Sequence, residues 1–190
     1  MLIAIPVWDT LENGRTKLTQ VVIPQLLRSI TDHDRVVVSD NGSCQETLDF
    51  IASVDDPRFS FVLNGKNLGI AEGANVVWRQ AMPNEIVCKM DNDCLIHGTG
   101  WTDLMAWVFM KNPEIGILGL KRKDLAEHPR AQAPYTSTLS FCNHNPGERW
   151  VAIEDVNHVM GTCYAFNPEM RKSFGFLRQP DSVYGFDDSL

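Results

Sequence analysis

The chain is expected to fold as one α/β domain: a central, mostly parallel sheet flanked by helices, with a small antiparallel element near the C-terminus. Three observations carry this. Short apolar runs rich in Val and Ile alternate with longer segments whose apolar residues recur at helical spacing, the pattern of successive βαβ units. Clusters of Asp, Asn and Gly follow the strand-like runs, where a chain leaving a parallel strand has to turn. No internal repeat, low-complexity tract or linker divides the 190 residues, a length that supports one substantial core.

The elements follow in order. "LIAIPV" (2–7) reads as a buried strand, and "WDTLENGRTK" as a polar loop. "LTQVVIPQLLRSI" has helical spacing, with Pro24 either kinking the helix or lying near its start. "RVVVS" (35–39) is the second strand. "DNGS" turns the chain, and Ser43-Cys-Gln-Glu46 has the capping-box pattern that opens the helix "CQETLDFIASV". "RFSFVLN" (58–64) is the third strand, "GKNLG" a turn and "IAEGANVVWRQAM" a helix. "EIVCKM" (85–90) is the fourth strand. "GWTDLMAWVFMKN" is helical with Pro113 just beyond it, and "IGILGL" (115–120) is a further strand. From Lys121 to Asn145 the periodicity gives way to polar residues and prolines, and a loop or irregular hairpin is expected. "WVAIEDV" and "HVMGTCYAF" are two more strands, and Pro168 opens a short helix.

Composition narrows the function. With 24 acidic residues against 17 basic ones, the formal net charge is -7, which disfavours a general nucleic-acid binder. An anionic small substrate stays open where a metal or local Lys and Arg offset its charge. The five cysteines are scattered, with no CxxC pair, and read as reduced thiols of a cytoplasmic protein. "MLIAIPVW" lacks a basic leader and runs into Asp9 and Glu12, so it reads as a strand and not as a signal peptide. No apolar run approaches membrane-spanning length.

The chemistry gathers after the strands. In open parallel sheets ligands bind beyond the carboxyl ends of the strands. There lie Trp8, Asp9 and Thr10; Asp40, Asn41, Gly42 and Ser43; Lys66, Asn67, Leu68 and Gly69; and Asp91, Asn92 and Asp93. Each cluster by itself is a good turn. Four at one edge point to a site. The stretch "VCKMDNDCLIHG" (87–98) is the sharpest, because two like charges held together raise each other's pKa unless a cation lies between them. It reads either as a turn bonded to local backbone or as half of a divalent metal site.

The order "SDNGS", "NLGIAEGANVVWRQA", "IVCKMDND", "GTCYAFNPEMRKSFGFL" and "YGFDDSL" resembles the family 2 glycosyltransferases of GT-A fold, over nearly the whole chain. The resemblance implies a single Rossmann-like GT-A domain, with a donor-binding half (1–120) and an acceptor-side half (121–190). It implies that Asp40 bonds the donor's nucleobase near Pro6, Trp8 and Asp9. Asn67 and Gly69 lie along the nucleotide, with Lys66 at the diphosphate. Asp93 ligates Mn²⁺ or Mg²⁺, with Asn92 among the donor-binding residues and Asp91 reaching the ribose or the metal. His158 is a further candidate metal ligand, although a lone His in a strand is more often structural. Trp101 matches a family Gly-Trp and is expected to pack beside the Asp-Asn-Asp turn.

The family's acceptor-side motif is Gly-x-Glu-Asp, and Asp187 stands at its Glu position. The resemblance therefore implies Asp187 as general base of an inverting transfer, with Asp188 supporting the acceptor or orienting the base. The departure is one methylene. A carboxylate within hydrogen-bond reach can deprotonate an attacking hydroxyl. The other reading of these residues is an exposed acidic terminus. The donor would be a UDP-, GDP- or dTDP-sugar, and the acceptor a glycan, a lipid-linked sugar, a protein or a modified nucleic acid. The last would need a basic patch around Lys121, Arg122, Lys123 and Arg130. Arg171, Lys172 and Arg178 read as a solvated helix face or as help for an acidic acceptor. Family members usually continue past this motif, so a minimal enzyme, completion by a partner and a shortened chain all stay open. Two other functions stay in view. A sugar-nucleotidyltransferase needs a Gly-rich basic loop after the first strand, where "PVWDTLENGRTK" has one glycine. A non-catalytic relative would bind nucleotide or a protein partner without turnover.

Overall fold

The computed structural model describes residues 1–122, 137–142, 151–156 and 159–179. In chain order these form β1 (Leu2–Val7), α1 (Thr16–Ser29), β2 (Arg35–Asp40), α2 (Gln45–Ser53), β3 (Phe59–Leu63) and α3 (Ile70–Trp78). There follow β4 (Val87–Met90), α4 (Trp101–Lys111), β5 (Ile117–Gly119), β6 (Ser137–Cys142), β7 (Val151–Val156), β8 (Cys163–Phe166) and α5 (Pro168–Phe174).

Six strands form one sheet in the order β3-β2-β1-β4-β8-β5. The pairs β2–β3, β1–β2 and β1–β4 are parallel, whereas β8 runs antiparallel to both β4 and β5. The register pairs Val7 with Asp40 and Asp40 with Leu63, so the first three strands finish at one level. β6 and β7 form a separate antiparallel pair, with β6 inside the stretch expected as a loop or hairpin. The expected strand over 158–166 is confined, among described residues, to Cys163–Phe166.

Side-chain alternation along the strands explains the layering. Ile3, Ile5 and Val7 of β1, Val36 and Val38 of β2, and Cys88 and Met90 of β4 share one apolar cluster. Val22, Ile23 and Leu26 of α1, Ile51 of α2, and Trp101, Met105 and Phe109 of α4 cover it. The alternate residues Leu2, Ala4, Val37 and Val87 face the other way, against Ala71, Ala74, Val77 and Trp78 of α3. A period of two sends neighbouring residues to opposite faces, so both faces need a helical cover. That places the polar ends of the strands at the rim between two helical layers.

Pro24 lies in the interior of α1, which decides between its two expected placements. One local expectation changes. The capping box at Ser43 does not form. The residue preceding α2 is Cys44, with no side-chain cap, and the Ser43 hydroxyl instead accepts from the Asp9 N–H at 2.9 Å. A partner on another loop wins over the local one because it satisfies a buried backbone donor. Trp101 opens α4, and its indole N–H donates to the Ser29 hydroxyl at the end of α1. Cys44, Cys88, Cys94 and Cys163 are unbridged. No helix among the described residues is long and apolar enough to cross a membrane.

Candidate active site

The four polar clusters meet at the carboxyl edge and are tied to one another by hydrogen bonds. Asp9 is the hub. Its amide N–H donates to Ser43 and its carbonyl accepts from the Cys44 N–H at 2.7 Å, joining the β1 loop to the β2 loop. Its carboxylate, fully buried, accepts from the Thr19 hydroxyl at 2.6 Å, the Thr47 hydroxyl at 3.3 Å and the Asn92 amide at 2.9 Å. One carboxylate thus gathers α1, α2 and the turn after β4. Burial holds the Asp9 carboxyl above the usual aspartate range, against the lowering effect of those bonds and of Arg15.

The β2 loop is shaped by its own aspartate. Asp40 is buried and accepts from the backbone N–H of Gly42 at 3.0 Å and of Ser43 at 3.2 Å, an Asx-type turn. Gly42 adopts φ +84°, which a residue with a side chain rarely takes. Asn41 carries the connection onward: its amide donates to the Gly69 carbonyl at 3.2 Å and its oxygen accepts from Asn64 at 2.9 Å. Asn67 accepts from the Gly69 N–H at 2.9 Å, and Gly69, at φ +84°, starts α3. The Gln179 amide oxygen accepts from the N–H groups of Ala71 and Glu72 at 2.9 and 3.1 Å, so the chain after α5 covers this helix start. Pro6 packs against the same helix at Gly73, where an added Cβ would lie 3.1 Å from the proline ring. Trp8 and Lys66 are exposed at the rim.

The Asp-Asn-Asp turn is where the structure adds most. Lys89, in β4 and 1% exposed, donates from Nζ to Asp91 and to the Gly161 carbonyl at 2.6 Å, just ahead of β8. The Asp91 N–H donates to the Thr162 carbonyl at 2.9 Å. Burial pushes the Asp91 carboxyl above the usual range, Lys89 pulls it down, and Asp93 adds to the upward push. Asn92 is buried and faces inward, donating to Asp9 and to Thr19. Asp93 is exposed, and Arg15 donates to it at 2.7 Å and to the Asn92 oxygen at 3.1 Å. The two carboxylates therefore carry two protein cations, one buried and one exposed.

The residues expected to bind are thus divided. Trp8, Lys66, Asp91 and Asp93 reach the rim, whereas Asp9 and Asn92, expected along the donor, are turned inward and hold the turn from below. The reason is desolvation: a carboxylate taken out of water needs several donors, and Asp9 takes three from side chains. His158, Asp187 and Asp188 lie outside the described residues. Lys89 and Arg15 were not singled out from sequence. A lysine within a buried strand was the available signal, since buried lysines are almost always paired. Arg15 had none, because its partner is 78 positions away.

The donor set suits a hard divalent cation. Asp91 and Asp93 offer carboxylate oxygens from one turn, the side chains 33% and 40% exposed. Among the described residues no group of three or more His, Cys, Asp or Glu could hold an ion alone. Such an ion would draw its remaining ligands from a phosphate group and water, as hard cations commonly do.

An α/β sheet of this order, with its polar loops gathered over the carboxyl edge and an antiparallel strand inserted beside β4, has the GT-A fold. Glycosyl transferase family 2 matches residues 15–168, and the chain belongs to that family. Solved structures similar to it include residues 1–349 of TarS from S. aureus, with 20% identity, TM-score 0.51, and coverage of 64% of this chain and 35% of that one. The apo structure of WbbM, a bifunctional glycosyltransferase, has 12% identity, TM-score 0.50, and coverage of 91% and 32%. The chain thus spans about a third of the length of these structures. No curated protein matches it.

Proposed function

We propose that this domain transfers a sugar from a nucleotide-diphosphate sugar to an acceptor hydroxyl, with Mn²⁺ or Mg²⁺ held by Asp93 and Asp91. The observation that carries the reading is the joining of four polar loops into one network under a turn with two carboxylates, Asp91 half-buried and Asp93 exposed. A divalent cation bound there would neutralise charge on the departing diphosphate. The chain's own residues have separate tasks. Asn67 lies on the path proposed for the nucleotide, beside Pro6 and Trp8, while buried Asp40 shapes the β2 loop beneath it and Gly69 opens α3 under Gln179. Lys66, exposed at its rim, supplies positive charge for the phosphates. Asp9 and Asn92 keep the turn in place. Asp187 takes the proton of the attacking hydroxyl, Asp188 supports it, and transfer proceeds with inversion; this part rests on the family resemblance.

Calorimetric titration of UDP, GDP and dTDP, each with Mn²⁺ and with EDTA, tests the donor site. One nucleotide is expected to bind only with metal, and Asp93→Ala to weaken it by about tenfold or more, the scale of a lost charged contact. Absence of binding by the wild-type chain with all three nucleotides would sink the reading. For the base, Asp187→Asn is expected to lower turnover by about 100-fold or more while nucleotide affinity holds. Intact turnover in that variant would remove Asp187 from the mechanism.

A further inference from the structure

We propose that Arg15 is an exchangeable counter-ion of Asp93: it neutralises this carboxylate in the unliganded chain, then leaves it to the divalent cation and turns to the diphosphate oxygens when the donor loads. The inference rests on the donor-site reading above and adds a residue to it. Arg15 reaches the turn from the loop that leads into α1, donating to Asp93 at 2.7 Å and to Asn92 at 3.1 Å. That loop is braced independently of the contact. The Asn13 side-chain oxygen accepts from the N–H groups of Thr10 and Arg15 at 2.9 and 3.0 Å, and its amide donates to the Trp8 carbonyl at 2.9 Å. Only the arginine side chain has to move.

The two cations at the turn differ in what their departure would involve. Lys89 is buried against Asp91 and Gly161, so removing it would leave a charge without compensation in a place poor in water. Arg15 and Asp93 have side chains 38% and 40% exposed, and solvated ion pairs of this kind are weakly held. Only the outer pair is readily exchanged. Arg15 occupies the Asp93 oxygen itself, so a divalent ion taking that carboxylate competes with the guanidinium for the same ligand atom. A diphosphate supplies the anionic oxygens that the planar guanidinium fork fits in pairs. Exchange keeps every charge matched before and after loading.

The test titrates Mn²⁺ alone, followed by electron paramagnetic resonance of the unbound ion. It then titrates the nucleoside diphosphate that binds the wild type, at saturating Mn²⁺. Arg15→Ala is expected to bind Mn²⁺ alone about three- to fivefold tighter, its competitor gone. It is expected to bind the nucleotide about tenfold weaker. Arg15→Lys, which keeps the charge and loses the fork, is expected to leave Mn²⁺ affinity near the wild-type value and to weaken the nucleotide. It carries the test should Arg15→Ala fail to fold. Unchanged nucleotide affinity in the Arg15 variants, with binding lost in Asp93→Ala, overturns the role of Arg15 and leaves the donor site standing. Tighter Mn²⁺ binding without nucleotide loss also overturns it, making Arg15 a blocker only. Retained metal-dependent binding in Asp93→Ala removes the donor site, and the inference with it.

Discussion

Lys89→Met is expected to lower the unfolding free energy by about 3 kcal/mol, within the range for breaking a buried ion pair from one side. Methionine fills similar space, so the loss is electrostatic more than a matter of packing. The change strips Asp91 of its counter-charge and the Gly161 carbonyl of its donor; the second of these contacts ties β4 to the segment before β8. Adding Asp91→Asn should recover part of the loss, because the stranded charge is then gone. The pH dependence has a definite sign. An acid whose folded pKa lies above its unfolded value, 3.8 for Asp91, binds more protons folded than unfolded between the two, so stability falls as pH rises across that interval. Without Lys89 the folded value climbs further and the interval widens upward. Urea unfolding should therefore show a larger deficit at pH 7.5 than at pH 4.5. A deficit under about 1 kcal/mol, equal at both pH values, would show that Lys89 is not an essential partner of Asp91.

Asp9→Ala is expected to have a comparable effect, also about 3 kcal/mol, since unsatisfied buried donors cost about 1–3 kcal/mol each and hydroxyls can partly re-aim. The donors concerned are Thr19, Thr47 and Asn92. Asp9→Asn should cost less than half as much, because an amide oxygen still accepts and the two threonine hydroxyls can rotate. The pH response separates charge from shape. Asp9 has its folded pKa raised by burial above 3.8, so the wild type loses stability as pH rises through the interval above that value. Asp9→Asn carries no titrating group there and should lack that contribution. Urea titrations at several pH values check both points. Equal stability of Asp9→Ala and wild type would show that the network under the site is not held by this carboxylate.

Both residues show why the site was only partly legible beforehand. Asp9 was found as a polar residue after a strand, yet its inward direction depends on Thr19, Thr47 and Asn92, which come from three other segments. Ser43 carried a local helix-start pattern and was drawn instead to Asp9. An antiparallel element near the C-terminus was expected, and β8 supplies one; its place between β4 and β5 was hidden, because apolar alternation reveals a strand and its faces but not its neighbour.

What the sequence by itself determined is the alternation of strands and helices and the gathering of polar turn residues after the first four strands. Hydrophobic period and turn chemistry act over a few residues, so a linear reading reaches them. Only the tertiary structure decided which of those polar residues face the rim and which lie beneath it. It also decided that Lys89 and Arg15 supply the two cations of the turn. Electrostatic pairing acts through space: Arg15 meets Asp93 across 78 positions of chain, and no local rule of spacing contains that distance.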